Sequence, residues 1–493
     1  MSLIKKYSFP LLLCVSAWLW LYNSSCIRRD NYRTNGGRIA FSQDTLLFDT
    51  VFTAMGTSTR SFKIVNQEKE RLKIESIRLY RGSTSPYFLN VNGISGKSVS
   101  DIAIEGNDSL YVFASVFIDP TSGDNPFIVE DRVVARVNGQ DFTLPVLAYG
   151  QNAIYITDSV LQTQTWTKNK PYVIIQNALV EEGHTLTINA GTRVYVHADS
   201  RLFVQGTLKV NGTKNDSVVF QGDRIDRRVY FDDEDFVNGV GGEWGGINLL
   251  KTSYNNSINY LLLKNGGAST MLGESVITDA SLQVDPDTVN NSTPKLTITN
   301  STIRNSGGYG LLAFASSIKS ENNLFFASAK ENVALIQGGK YDFYGCTIAG
   351  YASRINTATE KHYSMVALNF LSTGNNQYVG GNLFLTLRNC IIYGNTEEEF
   401  FPNKVNDFTA QITVDHCLFK NKTGLPAWVT QQNVLFNQDP LFENTSANNL
   451  HANDYHLKTG SPARSAGATF SGMAPLDMDG TPRGNPPSIG CYE

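Results

Sequence analysis

Long apolar runs are scarce in this chain. After the first 22 residues, no stretch is apolar enough for long enough to cross a membrane as a helix. Basic residues have no majority: 41 Lys and Arg face 45 Asp and Glu, a net charge of −4, which excludes the basic field of a nucleic-acid binder. Cysteine is rare. Its six copies show no C-x2-C spacing, which excludes a zinc site built from close ligand pairs. No D-x-D-x-D-G loop occurs. The one dense acidic cluster, Asp232, Asp233, Glu234 and Asp235, could take calcium but reads as a solvated loop, so no cofactor is expected beyond that calcium. Glycine (41 residues) and aromatics (11%) are plentiful, as suits a turn-rich β protein.

At 493 residues the chain is too long for one core. Its start reads as a targeting segment. Lys5 and Lys6 precede the apolar run "FPLLLCVSAWLWLY", which is shorter than the roughly 20 residues of a membrane span. The run ends in "NSSC", which resembles the lipobox of bacterial lipoproteins, with Cys26 as the lipidated first residue of the mature chain. The other reading is an ordinary secretory peptide cut near Ser25. The expected division is a signal peptide (1–25), a tether (26–37), an Ig-like antiparallel β-sandwich (38–150) and a parallel β-helix with a C-terminal cap (151–493).

The sandwich is expected from short alternating runs such as "RSFKIVN", "RLKIESIRLY", "DSLYVFASVFI" and "DRVVARVNG". Asn138-Gly139 marks a hairpin turn. The helix is expected from a repeat. "SINYLLLKN", "LTITNSTIRN", "IKSENNLFFA", "YDFYGCTIAG", "LTLRNCIIYG" and "ITVDHCLFKN" superimpose without gaps. One column of that superposition is Leu261, Ser301, Asn323, Cys346, Cys390 and Cys417, at steps of 40, 22, 23, 44 and 27 residues. A unit near 22, with insertions or poorly matching coils around 266–295 and 351–382, is a solenoid signature.

Each unit reads as two short strands meeting at a bend. The bend column is Tyr260, Asn300, Asn322, Gly345, Asn389 and His416, dominated by residues that tolerate left-handed backbone. The next column points inward, where Cys346, Cys390 and Cys417 form a ladder of small apolar thiols rather than a reactive site.

This stacking resembles the right-handed parallel β-helix of the pectate-lyase-like superfamily, with its asparagine ladder. "DMDGTPR" at 477–483 and "IGCYE" at 489–493 resemble the D-x-D-G-x-x-R and I-G-x-Y-E closing segments of secreted bacterial members. "FSQDTLLFDTVF" and "EWGGI" resemble envelope lipoproteins of Gram-negative gut-type bacteria. The resemblance implies an all-β fold and an outer-membrane lipoprotein, facing the periplasm or the cell surface. It leaves activity open, because the same solenoid serves lyases, hydrolases, binders and spacers. The N-x-D, D-D, G-H-G and R-x-K series of the hydrolases is absent as a set.

Two outward columns carry chemistry. Lys264, Arg304, Phe326, Ala349, Tyr393 and Lys420 interleave cations and rings. The column reads either as a solvated sheet face of ordinary β formers or as a solvent-facing ligand site of Lys264, Arg304, Phe326, Tyr393 and Lys420 that docks a polysaccharide. Asn259, Thr299, Glu321, Tyr344, Arg388 and Asp415 form the other, in which Arg388 and Asp415 read as a surface ion pair. The leading expectation is an envelope lipoprotein, held to the membrane by its lipid, whose β-helix binds glycan or an envelope protein along an elongated face. The alternatives are a polysaccharide lyase or glycoside hydrolase on that face, and a purely structural or adhesin-like surface protein.

Overall fold

Residue periods divide the chain into two kinds of β structure. The computed structural model describes residues 32–56, 59–124, 126–225, 241–272, 275–277, 279–287, 293–351, 361–374, 377–445 and 452–493. The targeting segment, Cys26 and the cluster Asp232–Asp235 lie outside the described residues. Two compact units are distinguished. The first takes in Met55–Phe117 and Ile128–Ala148 with the chain before Asp49, and the second takes in Asp49–Ala54, Ile118–Phe127 and Tyr149–Glu493.

The first unit is an antiparallel sandwich of two five-stranded sheets. One sheet orders Ile39–Phe41, Arg60–Asn66, Ser109–Val116, Tyr87–Val91 and Ile94–Gly96. The other orders Leu46–Phe52, Gln140–Gln151, Phe127–Val137, Leu72–Leu79 and Ser98–Ile104. Period-two alternation decides which side is core: Phe62, Ile64, Val112 and Ala114 are buried on one sheet, and Ile74, Ile77 and Val133 on the other. Asn138 and Gly139 both take positive φ, 48° and 78°, between Phe127–Val137 and Gln140–Gln151, as a two-residue hairpin turn requires.

The second unit is a right-handed parallel β-helix. Its strands stack in three ribbons. One runs from Gln164–Trp166 through Leu296–Thr299 and Leu383–Arg388 to Thr430–Gln432. A second runs from Ile154–Leu161 through Leu261–Lys264 and Leu324–Ser328 to Leu435–Phe436. The third runs from Arg201–Val204 to Phe400–Asn403. Inward residues of all three, among them Leu186, Ile258, Phe343, Leu387 and Val414, make one elongated core.

The bend between the first and second ribbons explains the repeat. Tyr260, Asn300, Asn322, Gly345, Asn389 and His416 all take φ between 47° and 55°. Asn300 donates to Asn259 Oδ1 (2.9 Å) and Asn322 to Asn300 Oδ1 (3.3 Å), so the asparagine ladder exists but is short. The inward column after the bend closes bonds between coils: Leu261 N donates to Ser301 Oγ, Ser301 N to Asn323 Oδ1, and Cys390 N to Cys417 Sγ. Cys346, Cys390 and Cys417 are free, fully buried thiols, and burial pushes Cys346 and Cys390 well above the ordinary thiol range. The two long repeat steps are single coils carrying antiparallel hairpins, Thr270–Leu272 with Ser275–Ile277 and Phe370–Gly374 with Gln377–Gly380, since the flanking strands pair directly.

After Leu435–Phe436 the chain turns back along the helix. Its hairpin Phe442–Asn444 and Asp454–Leu457, with the closing residues to Glu493, packs on the outer side of the second ribbon. There Leu324, Ile391 and Leu418 meet Phe442, Leu457, Ile489 and Cys491 in a separate core.

Candidate functional site

The column expected to bind ligand does share one register. Lys264 pairs with Arg304, Arg304 with Phe326, Phe326 with Ala349, and Ala349 with Tyr393. Lys420 follows, its ammonium 5.4 Å from the Tyr393 ring centre and bonded to Gly394 O at 2.7 Å. The expected exposure is overturned. Phe326 is 3% exposed and Tyr393 8%. Phe326 packs 5.0 Å from Tyr455 of the returning segment, and Tyr393 lies 6.4 Å from Tyr351, which itself packs on Phe442. Burial holds the Arg304 guanidinium below its usual range. The physical reason is apolar area: a ribbon face that also shows Leu324, Ile391 and Leu418 is too greasy to leave in water, so the C-terminal segment covers it. The rings cannot stack on a glycan while that cap is seated.

The first ribbon is the polar face. Its pairings align Thr165, Thr187, Lys209, Ser257, Thr297, Lys319, Asp342, Thr386, Thr413 and Thr430 in one unbroken row. At about 4.8 Å per coil the row is roughly 40 Å long. Each of these side chains is partly or fully exposed. The neighbouring row contains Asn259, Thr299, Glu321, Tyr344, Arg388 and Asp415. Phe384, 40% exposed, stands in the same ribbon beside Lys340 and Gln411.

Charges and rings gather around Tyr344. Lys319 Nζ lies 3.5 Å from Glu321 and 6.0 Å from the Tyr344 ring. Arg388 Nε lies 3.6 Å from Asp415 Oδ2, so the expected pair forms, and Asp415 Oδ1 also holds His416 Nδ1 at 2.6 Å. Phe470 of the closing segment packs 5.0 Å from Tyr344 and 5.3 Å from the Arg388 guanidinium. Ala474 N donates to Glu321 Oε1 at 2.6 Å. Burial first, then Asp342 and Glu321, push the Tyr344 phenol up to about 12, although Arg388 opposes them. At neutral pH it is therefore a hydrogen-bond donor and not a base. The arrangement can hold hydroxyl and charged groups of an extended polar chain against a partly exposed ring.

Buried ionic groups went unread in the sequence. Lys295, 1% exposed, donates to the carbonyls of Leu250, Lys251, Asp285 and Pro286, and burial brings it down to about 8. Arg201 is enclosed by Thr270, Asn248 and Ala268, and His362 Nδ1 lies 3.2 Å from Glu331. No periodic signal announces them, because each is fixed by an insertion that packs against one coil. Among the described residues no group of three or more His, Cys, Asp or Glu is placed to hold a metal ion.

A family model described as "Right handed beta helix region" matches residues 287–449. No curated protein matches the chain. Among solved structures, the chain is similar to the E. coli chaperone DraB at TM-score 0.18 and 6% identity, over 25% of this chain and 58% of that one. It is similar to a family 123 glycoside hydrolase from Clostridium perfringens at TM-score 0.17 and 8% identity, over 23% of this chain and 26% of that one. A third is the catalytic domain of a GH87 alpha-1,3-glucanase in complex with nigerose, at TM-score 0.20 and 11% identity, over 78% of this chain and 88% of that one. The chain spans less than two thirds of the first two structures' own length, and likeness this slight says nothing about activity. The region of the second unit covered by the family match is a right-handed β-helix.

Proposed function

We propose that the second unit binds a polysaccharide along its first ribbon, and that the chain is an envelope lipoprotein anchored through Cys26. The observation that supports this reading is the unbroken polar row from Thr165 to Thr430 beside the cluster of Lys319, Tyr344, Arg388 and Phe470. A sugar chain offers hydroxyls to match a row of threonines and a C–H face to match a ring. The reading moves the binding face from the second ribbon, which the cap covers, to the first.

The test is retention of the purified chain on immobilised acidic and neutral polysaccharides, with Tyr344→Ala and Thr386→Ala as variants. Both substitutions are expected to weaken retention several-fold in chains that still unfold cooperatively, Tyr344→Ala at a lower melting point because it loses its contact with Phe470. Retention that neither variant moves would reject the first ribbon as the face. Appearance of unsaturated sugar ends during the assay would replace binding by lyase action.

A further inference from the structure

The sandwich has a solvent-facing surface that the β-helix reading leaves unused. In the sheet containing Ser109–Val116, alternate residues turn outward: Phe88 is 47% exposed, Tyr111 51% and Phe113 44%. Register places them together. Tyr111 pairs with Lys63, Phe113 with Ser61 on one side and Asn90 on the other, and Phe88 with Ser115. The Tyr111 and Phe113 rings are 6.3 Å apart and inclined by only 18°, so they present nearly parallel planes. Phe88, Phe113, Asn90, Ser95 and Ser115 line a shallow cavity of ≈ 320 Å³. Asn90 Nδ2 donates to Ser95 Oγ at 3.0 Å, which fixes the amide at the cavity wall.

Charge on this sheet has one sign. Its five strands contain no Asp or Glu, and their one outward charge is Lys63, since Arg60 is 2% exposed. Lys63 Nζ lies 4.6 Å from the Tyr111 ring centre. Lys97 Nζ lies 3.2 Å from that of Phe88 and donates to the carbonyls of Ser85 and Tyr87. Exposed rings separated by hydroxyl and amide side chains suit a sugar polymer, whose residues alternate C–H faces with hydroxyls. Ammonium groups at both ends of the ring row suit an acidic one. We propose that the outer face of this sheet is a second glycan-binding surface, selective for a uronate-bearing polysaccharide.

The test uses the full chain in detergent and three probes: polygalacturonate, dextran, and vesicles of phosphatidylglycerol. Polygalacturonate should protect Lys63 from acetylation and dextran should not. Tyr111→Ala and Phe113→Ala should each weaken binding about five- to tenfold at any salt. Lys63→Ala should weaken it only at low salt. If the ring variants misfold, acetylation of Lys63 in the unmodified chain gives a second readout, and polygalacturonate should slow it several-fold. Equal protection of Lys63 by dextran, unchanged acetylation, or capture of the vesicles in preference to polygalacturonate would overturn the proposal. Tyr344→Ala run in parallel separates the two surfaces, because it should leave Lys63 protection intact whether or not the first ribbon binds.

Discussion

Gly345 breaks the row of asparagines at the bend, and the structure gives a reason that can be measured. An added Cβ there would stand 3.0 Å from Arg483 Nη2 and 3.1 Å from Asn322 Oδ1. Arg483, whose side chain is 3% exposed, fills the place a bend asparagine would take. Its Nη2 donates to Asn322 Oδ1 at 2.8 Å and to Gly490 O at 2.9 Å, and its Nη1 donates to Ser488 O at 3.3 Å. The arginine of the closing segment thus completes the ladder from outside the repeat. Arg483→Ala strands two carbonyls and one amide in a buried seam and should cost about 3 kcal/mol. Gly345→Asn keeps the φ of 54°, which asparagine tolerates, but drives out the guanidinium and should cost about 2 kcal/mol. In the double variant the asparagine occupies the vacated place and can donate to Asn322. The combined cost should fall about 2 kcal/mol short of the sum. Urea unfolding of all four proteins gives the cycle, and hydrogen exchange in Phe442–Asn444 and Asp454–Leu457 reports the cap itself. Costs that add within about 0.5 kcal/mol would refute the shared site.

Three further outcomes follow from the same geometry. Cys346, Cys390 and Cys417 should ignore thiol reagents until the chain unfolds, and Cys390→Ser should cost about 1–3 kcal/mol by burying a hydroxyl, as read from a urea melt. Lys295→Met leaves four carbonyls without their ammonium and should cost about 3 kcal/mol by the same melt, while Lys295→Arg should not restore it because four carbonyls converge on one nitrogen. Burial lowers the His456 pKa, but its bonds to Asp454 (2.5 Å) and Asp479 (3.0 Å) outweigh that and leave it raised. Its contribution is therefore full below the unfolded value of about 6.5 and is lost as pH rises through the folded value, so cap protection should fall with pH over that window and His456→Gln should abolish the dependence.

What was legible in the sequence was whatever a repeat forces on one coil by itself. Left-handed backbone favours Asn or Gly, so Asn300, Asn322 and Gly345 mark the bend even though Tyr260 and His416 also occupy it, and the inward step beside it marks the thiols. Alternation also placed Phe326 and Tyr393 correctly outside their own coil. It could not say what lies beyond that face, because the cap comes from more than a hundred residues downstream in the case of Phe326 and is fixed by tertiary packing. The row around Tyr344 is a column of the repeat in which only the Arg388–Asp415 pair stands out. Phe470 and Ala474, which complete the cluster, enter from the closing segment at no repeat spacing. The repeat spacing marks the insertions but not the hairpins that begin with Thr270–Leu272 and Phe370–Gly374, since their short strands match neither the coil pattern nor a long alternation.

The central claim is that ligand lies on the first ribbon while the second stays under its cap. Hydroxyl-radical footprinting with and without a retained polysaccharide tests it residue by residue. Tyr344 and Phe384 should be oxidised in the free chain and protected when the polysaccharide is bound, while Phe326 and Tyr393 should stay unreactive in both states. Oxidation of Phe326 and Tyr393 in the free chain with protection on binding, and no change at Tyr344, would contradict the account.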